Sequence, residues 1–184
     1  MKHVRPYAAA ALALAATVAF AMPANAALKV GAKAPDFTTQ GALGGKPFTF
    51  SLAAALKKGP VVVYFFPAAF TAGCTIEAHK FAEAAADFKK AGATLVGLTA
   101  GGIDKIDAFS KEECRSAFPV AAATPPMISN YDVSYAAGSK ITSRTSYVIA
   151  PTGEVIYELT QNNPVGHVEG TLGAVRDWRA KHKG

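Results

Sequence analysis

The chain has 184 residues and a formal net charge of +6, with 19 Lys and Arg against 13 Asp and Glu. That length suits one domain with a proper hydrophobic core. The charge balance is only mildly basic, with no Lys/Arg cluster of the kind that tracks phosphates, so it argues against a nucleic-acid partner. No C-x-x-C, no His/Cys metal-ligand spacing and no Gly-rich phosphate loop occurs, which leaves zinc and nucleotide chemistry little support.

The first 26 residues read as an export signal rather than as part of the fold. Lys2, His3 and Arg5 make a positive start, Ala8 to Ala21 forms an apolar run, Pro23 breaks it, and Ala24-Asn25-Ala26 is a small-x-small cleavage site. A membrane anchor is the competing reading, but a span needs about 20 strongly apolar residues, and this run is shorter and mostly Ala. Cleavage after Ala26 leaves residues 27–184 as one soluble periplasmic or secreted domain of charge +4, without a membrane anchor.

Val30 to Gly45 is rich in Gly, Pro and polar residues and reads as an extended lead-in with a turn at Gly44-Gly45. Phe48 to Phe50 suggests a short edge strand, and Ser51 a cap for a brief helix through Leu56, stopped by Gly59-Pro60. Val61 to Phe66 is a continuous β-branched and aromatic run, the pattern of a strand buried on both faces. From Cys74 to Ala91 the apolar residues recur at helical spacing, and Gly92 stops the helix. Thr94 to Thr99 is the next strand, which completes a βαβ unit.

Asp104 to Arg115 reads as another helix, Phe118 to Ala122 as a short strand, and Ile128 to Tyr131 as one helical turn. Ser146 to Ala150 and Glu154 to Thr160 are strands joined by Pro151-Thr152-Gly153, which forces an antiparallel hairpin. His167 to Lys183 closes the chain as a helix with Leu172, Val175 and Trp178 on one face. Its basic end, with Arg176 and Arg179, is what the helix dipole favours. This order predicts an α/β fold of thioredoxin-like architecture, a mixed central sheet flanked by helices on both faces.

The cysteines are Cys74 and Cys114. In an oxidising compartment a structural disulfide is the default for such a pair, although a domain of this size does not need one. Cys74 lies where the most buried strand hands over to its helix, at the end of Pro67-Ala68-Ala69-Phe70-Thr71-Ala72-Gly73-Cys74. Unpaired backbone N–H groups and the positive end of the dipole there favour thiolate over thiol. A thiolate is what attack on a peroxide requires, and the Thr71 hydroxyl is a donor for the leaving oxygen. The plainer alternative makes Cys74 a small buried hydrophobe and Thr71 a helix cap.

The same stretch resembles the peroxiredoxin signature P-x-x-x-T-x-x-C, matched at Pro67, Thr71 and Cys74. Thr75-Ile76-Glu77, Arg144 through Ile149 and Ala34-Pro35-Asp36-Phe37 resemble the family as well, closest to its bacterioferritin comigratory protein (PrxQ) type. The resemblance implies a thiol peroxidase for hydrogen peroxide or organic hydroperoxides, with no cofactor and no metal, working through a cysteine sulfenic acid. Cys74 resembles the peroxidatic cysteine, Thr71 the residue that hydrogen-bonds peroxide, and Pro67 the wall of the pocket. Arg144 resembles the arginine that favours the thiolate and stabilises charge passing to the leaving oxygen, unless it is a surface arginine before a strand. Glu77 would hold Arg144 by a bidentate contact, or be a favourable acid in a first helical turn.

The chain departs from the PrxQ pattern at His79, the position where some members carry a resolving cysteine. His79 reads as a solvated or partly packed helix residue. Cys114 is then the candidate resolving cysteine, with an unpaired thiol or a structural disulfide as alternatives, and a thioredoxin-like dithiol protein of the periplasm would supply electrons. Two other functions compete. A thioredoxin-like thiol-disulfide oxidoreductase needs a vicinal second thiol that the Cys74 loop lacks, and a copper-handling thioredoxin-fold protein needs paired cysteines with a downstream His such as His167.

Overall fold

The computed structural model describes residues 27–182, so the expected export signal lies outside the described residues. The fold is organised around β3 (Val61–Phe65), in which all five residues are buried. Alternation of side chains across the strand sends Val62 and Tyr64 into one core layer and Val61, Val63 and Phe65 into another. A strand with both faces covered has no position for a polar residue, which is why its sequence is an unbroken apolar run.

Four further strands, β4 (Thr94–Thr99), β5 (Val120–Ala122), β6 (Thr145–Ile149) and β7 (Val155–Thr160), extend the sheet around β3. With the hairpin β1 (Thr38–Leu43) and β2 (Lys46–Ser51), the order is β2-β1-β5-β4-β3-β6-β7. β3 pairs parallel with β4 and antiparallel with β6, so the expected mixed sheet is present. The helices α2 (Ala72–Lys90), α3 (Ile106–Glu112) and α5 (Val165–Lys181) pack Phe81, Phe88, Phe109, Leu172 and Val175 against the Tyr64 face. The other face is covered by α1 (Leu52–Leu56) and α4 (Pro125–Asn130), through Leu52, Ala55, Met127 and Ile128.

Three expectations are corrected. The stretch read as an extended lead-in contains β1, whose sequence Thr-Thr-Gln-Gly-Ala-Leu follows its two threonines with Gln and Gly, so no apolar run announces it. It is a strand because both of its edges are paired, to β2 and to β5. The expected turn does form at Gly44 and Gly45, with φ of 60° and 76°, the pair of left-handed residues that a tight hairpin demands. The helix read over Asp104 to Arg115 is a short 3-10 turn (Ile103–Lys105) followed by α3, which ends before Cys114. Arg115 and Ser116 take φ of 51° and 57°, so the backbone cannot continue the helix. Trp178, expected on the core face of α5, is half-exposed and stacks on His182 with ring centroids 4.4 Å apart.

The basic end of α5 does more than complement its own dipole. Arg179 donates to the carbonyls of Ala91 and Gly92, both at 2.9 Å, where α2 ends. One side chain thereby satisfies the carbonyls that finish one helix and fixes α5 beside it.

The β1–β5 seam depends on a missing side chain. A Cβ at Gly41 would sit 2.1 Å from the Val120 carbonyl oxygen and 2.5 Å from the Ala121 Cα. Backbone cannot yield as a side chain does, so Gly41→Ala should prise β1 from β5 and cost about 1–3 kcal/mol. Chemical denaturation followed by circular dichroism measures this, and an unchanged midpoint would contradict it.

Candidate active site

The chain leaves β3 through Pro67 into a short loop that is stapled before it can enter α2. The Thr142 hydroxyl donates to the Phe66 carbonyl at 2.6 Å, the Thr99 hydroxyl to the Pro67 carbonyl at 3.3 Å, and the Ala69 N–H to the Gly101 carbonyl at 3.0 Å. Phe70 is held at φ 62°, a left-handed conformation uncommon for a bulky residue, with its ring edge-on to Phe109 at 5.3 Å. These constraints fix where α2 starts. Its first helical bond runs from the Thr75 N–H to the Thr71 carbonyl at 2.9 Å, so the N–H groups of Ala72, Gly73 and Cys74 precede the helical ladder.

Cys74 is the third residue of α2 and is 1 % exposed. Arg144, which immediately precedes β6, points the Nη2 of its guanidinium at the Cys74 Sγ across 3.5 Å. Its Nε donates to the Asn162 carbonyl at 3.1 Å and its Nη1 donates to the Glu77 carboxyl. Arg144 is therefore not a surface arginine: it is 7 % exposed, and Glu77 one turn into α2 is fully buried. A Cβ at Gly73 would lie 2.9 Å from Arg144 Nη2, so glycine at that position is what lets the guanidinium reach the sulfur.

The expected two-point contact between Glu77 and Arg144 is not what forms. Only Glu77 Oε2 meets the guanidinium, because Nε and Nη2 are committed to Asn162 and Cys74. Glu77 Oε1 is turned the other way, buried without a hydrogen-bond partner, 3.8 Å from His167 Nδ1. His167, in the first turn of α5, is fully buried. It meets Ser146 Oγ through Nδ1 at 2.8 Å and the Gln161 carbonyl through Nε2 at 3.0 Å.

Burial dominates the protonation of this cluster. It pushes the Glu77 carboxyl up to about 8, against the opposing pull of Arg144. It also holds His167 below its ordinary range, where the neighbouring Arg144 charge adds to the effect and the Gln161 carbonyl opposes it. His167 entered the sequence reading only as a possible metal ligand, and Ser146 and Asn162 not as site residues at all. A histidine among Val168, Thr171 and Leu172 on the buried face of a helix is the one signal that could have marked it.

Thr71 and Pro67 lie at the rim, Thr71 exposed and Pro67 half-buried. Thr71 occupies the N-cap position of α2 without capping it through its side chain; its hydroxyl donates to the Ala68 carbonyl at 3.1 Å. Cys114 stands apart from this array, fully buried and free in the turn after α3, within the same core layer as Cys74 and Tyr64. Burial, reinforced by the adjacent Glu113, pushes its thiol far above the ordinary range, so in this conformation it is a thiol and not a nucleophile. His79 is partly packed, as expected, and pairs with Glu113 at 2.6 Å.

The Glu77 carboxyl links folding to pH. Its value rises from 4.5 in an open chain to about 8 on folding, so the native state binds the extra proton. The stabilisation is whole below about pH 4.5 and is lost as pH climbs through about 8. Melting temperatures between pH 5 and 8.5 should fall more steeply for the wild type than for Glu77→Gln, which cannot ionise. Parallel curves would show that Glu77 is not the group responsible.

Comparison with known proteins places this geometry. The AhpC/TSA family matches residues 30–158. The chloroplastic peroxiredoxin Q of Sedum lineare is 32 % identical over 145 residues, which cover 77 % of this chain and 75 % of that one. The chloroplastic peroxiredoxin Q of Populus jackii is 34 % identical over 77 % of this chain, and the match spans 65 % of its own length. Among solved structures, peroxidoxin BcpB from Mycobacterium tuberculosis has a TM-score of 0.72 at 27 % identity, covering 82 % of this chain and 97 % of that one. The fold is accordingly the thioredoxin-like fold of peroxiredoxins. The chain belongs to the AhpC/TSA family, among its peroxiredoxin Q and Bcp-type members.

Proposed function

We propose that this protein is a thiol peroxidase in which Cys74 is the nucleophile that reduces hydrogen peroxide or organic hydroperoxides. The observation that carries the reading is the Arg144 guanidinium 3.5 Å from a buried sulfur at a helix N-terminus. A cation and the free N–H groups of a helix N-terminus converge on that sulfur, the surroundings that receive negative charge at the reacting atoms. The thiolate attacks the terminal oxygen of the peroxide, the S–O bond forms and the O–O bond breaks. The hydroxyl stays on sulfur as sulfenic acid, and the alkoxide or hydroxide leaves with the bonding electrons to take a proton from water. Arg144 faces the place where that charge develops. The Thr71 hydroxyl, at the rim and held only by the Ala68 carbonyl, turns to bind the peroxide, and Pro67 shields the sulfur from water.

Cys114 is the resolving thiol in this reading, and it must leave its place to act. A buried thiol with its proton held does not attack a sulfenic acid. The turn that carries it is the part of the fold built to give way: Arg115 and Ser116 are both left-handed without being glycine. Local opening at the end of α3 exposes the thiol and lets it condense with the Cys74 sulfenic acid, releasing water. A thioredoxin-like dithiol protein then reduces the disulfide. The basic start, apolar run and Ala24-Asn25-Ala26 site support export, cleavage after Ala26 and a periplasmic donor. The oxidoreductase and copper readings gain nothing, since Cys114 is sealed in the core and both ring nitrogens of His167 are engaged.

Cys74→Ser should abolish peroxide turnover, because an alcohol is far less ionised than a thiol at neutral pH. Arg144→Ala should lower the second-order rate constant with hydrogen peroxide by about 10²–10³-fold, the loss typical of one donor to a developing oxyanion. Stopped-flow kinetics reads both, and substantial turnover by Cys74→Ser would end the proposal. The resetting step has its own measurement, non-reducing peptide mapping after one equivalent of peroxide. A Cys74–Cys114 peptide from monomers is expected, and Cys74 oxidised with Cys114 still alkylatable would make this a one-cysteine enzyme. The intact masses of protein recovered from an exporting host should begin at Ala27.

A further inference from the structure

Three helices end at one pole of the molecule, and each brings paired cations there. Lys57 and Lys58 follow α1, Lys89 and Lys90 close α2, and Arg176 and Lys181 lie in the last two turns of α5. All six are exposed. They are far apart in the chain, and the fold joins them. Arg179 clasps the last carbonyls of α2, and Gly59 closes on the same junction, where a Cβ would lie 2.8 Å from Arg179 Nη2. The open cleft between α2 and α5 is lined by Lys90, Arg176, Arg179 and His182 with one acid, Asp87, which Arg176 already holds at 3.3 Å. The other acids nearby are Asp177, which shares a cleft with Lys181, and Glu154, whose backbone bridges to that of Lys33. A helix C-terminus carries about half a negative charge, which accounts for one basic residue at its end; here each end brings two. Away from the pole the balance reverses, since the segment around α3 carries Asp104, Asp107, Glu112 and Glu113 against Lys105, Lys111 and Arg115. The positive excess of the chain is therefore gathered at one end. Trp178, the only tryptophan in the sequence, stands half-exposed beside this cleft, stacked on His182 with the Arg179 guanidinium 5.5 Å from its ring centre. A ring with an apolar body and a polar N–H at its wet edge suits a membrane–water interface.

We propose that this basic pole is a docking surface for an anionic phospholipid bilayer, on which the folded domain rests reversibly with Cys74 turned away from the lipid. The inference goes beyond the peroxidase reading and does not depend on it. A bilayer presents a plane of negative charge, which a pole assembled from three helix ends meets all at once. A nucleic-acid strand is followed instead by a basic groove that tracks its backbone. The attraction needs no inserted helix, only cations within a Debye length of the headgroups. Cys74 opens α2 and Lys90 ends it, about 24 Å away along the helix axis. Dissolved peroxide and a dissolved electron donor therefore reach Cys74 while the protein is bound.

The test uses the protein beginning at Ala27, so that the apolar run before it adds nothing to binding. It is mixed with vesicles of phosphatidylcholine alone or of phosphatidylcholine and phosphatidylglycerol. The protein should sediment with the anionic vesicles only, and be released at about 1 M salt, where charge is screened within about 3 Å. Trp178 emission should move to the blue on those vesicles as its ring leaves water. Lys89→Ser with Lys90→Ser should weaken binding by on the order of 25-fold, about fivefold for each cation near the surface. Lys105→Ser with Lys111→Ser removes the same charge away from the pole and should leave binding nearly unchanged. Equal weakening by the two pairs would show attraction by net charge alone and overturn the proposal. So would no sedimentation at low salt, equal binding to both kinds of vesicle, or an unmoved Trp178 emission on bound protein. A short DNA duplex held more tightly than the vesicles through Lys89 and Lys90 would make the pole a nucleic-acid surface instead. Hydrogen peroxide turnover should persist on the anionic vesicles, and its loss on binding would show that Cys74 faces the lipid, against the orientation proposed.

Discussion

A guanidinium buried against a sulfur is the contact on which the rest of the site depends. Taking an arginine out of water is costly unless its donors are matched, and Arg144 has its donors matched by three different parts of the chain. Nη2 reaches Cys74, Nη1 reaches Glu77, and Nε reaches the Asn162 carbonyl beyond β7. The backbone makes room through Gly73, and the loop before α2 is pinned by Thr99 and Thr142 so that the sulfur does not drift from the charge. Each of these contacts makes sense only as support for one cation at one sulfur.

The double-faced core follows from the same demand. Cys74 is shielded within the Tyr64 layer, and the loop that carries it emerges from a strand buried on both sides. Tyr64 and Phe81 stack at 4.3 Å on the Cys74 side, and Phe65 packs with Tyr131 at 5.3 Å on the other. Aromatic pairs of this kind add about 0.5–1.5 kcal/mol each beyond area burial. They set a rigid floor under a loop whose Phe70 is itself held in a left-handed conformation.

What the sequence made legible was local. Pro67, Thr71 and Cys74 sit at fixed spacing on one loop, and the apolar run of β3 marks its own burial. Arg144 was recognisable only through the resemblance of the stretch Arg144 to Ile149 to the peroxiredoxin family; the strand pattern alone leaves it a surface arginine. β1 was not legible, since its stability comes from two neighbours and from a glycine whose value lies in what it lets Val120 and Ala121 approach. His167 was legible as a histidine but not as a buried neighbour of Glu77. The two are 90 positions apart in the chain, and only the docking of α5 on α2 brings a ring nitrogen to face an orphaned oxygen. The end of α3 was misplaced because the residues up to Arg115 look helical, and nothing in their types announces the left-handed backbone at Arg115 and Ser116.

That turn carries a conflict between stability and catalysis. A cysteine sealed in the core keeps its thiol from peroxide and from stray disulfide exchange, yet the resolving role proposed for Cys114 requires it to meet Cys74 within bonding distance. Cys114 is held by its own N–H to the Phe109 carbonyl at 3.0 Å, and its neighbours Glu113 and Arg115 pair with His79 and Glu83 of α2. Surface pairs of this kind contribute little each, and the two left-handed residues beside them store strain that opening would release. The sum favours a segment closed most of the time and opened at modest cost. In the proposed two-cysteine cycle, oxidation of Cys74 would not have to force the turn apart; it would only have to capture a thiol that local unfolding already presents.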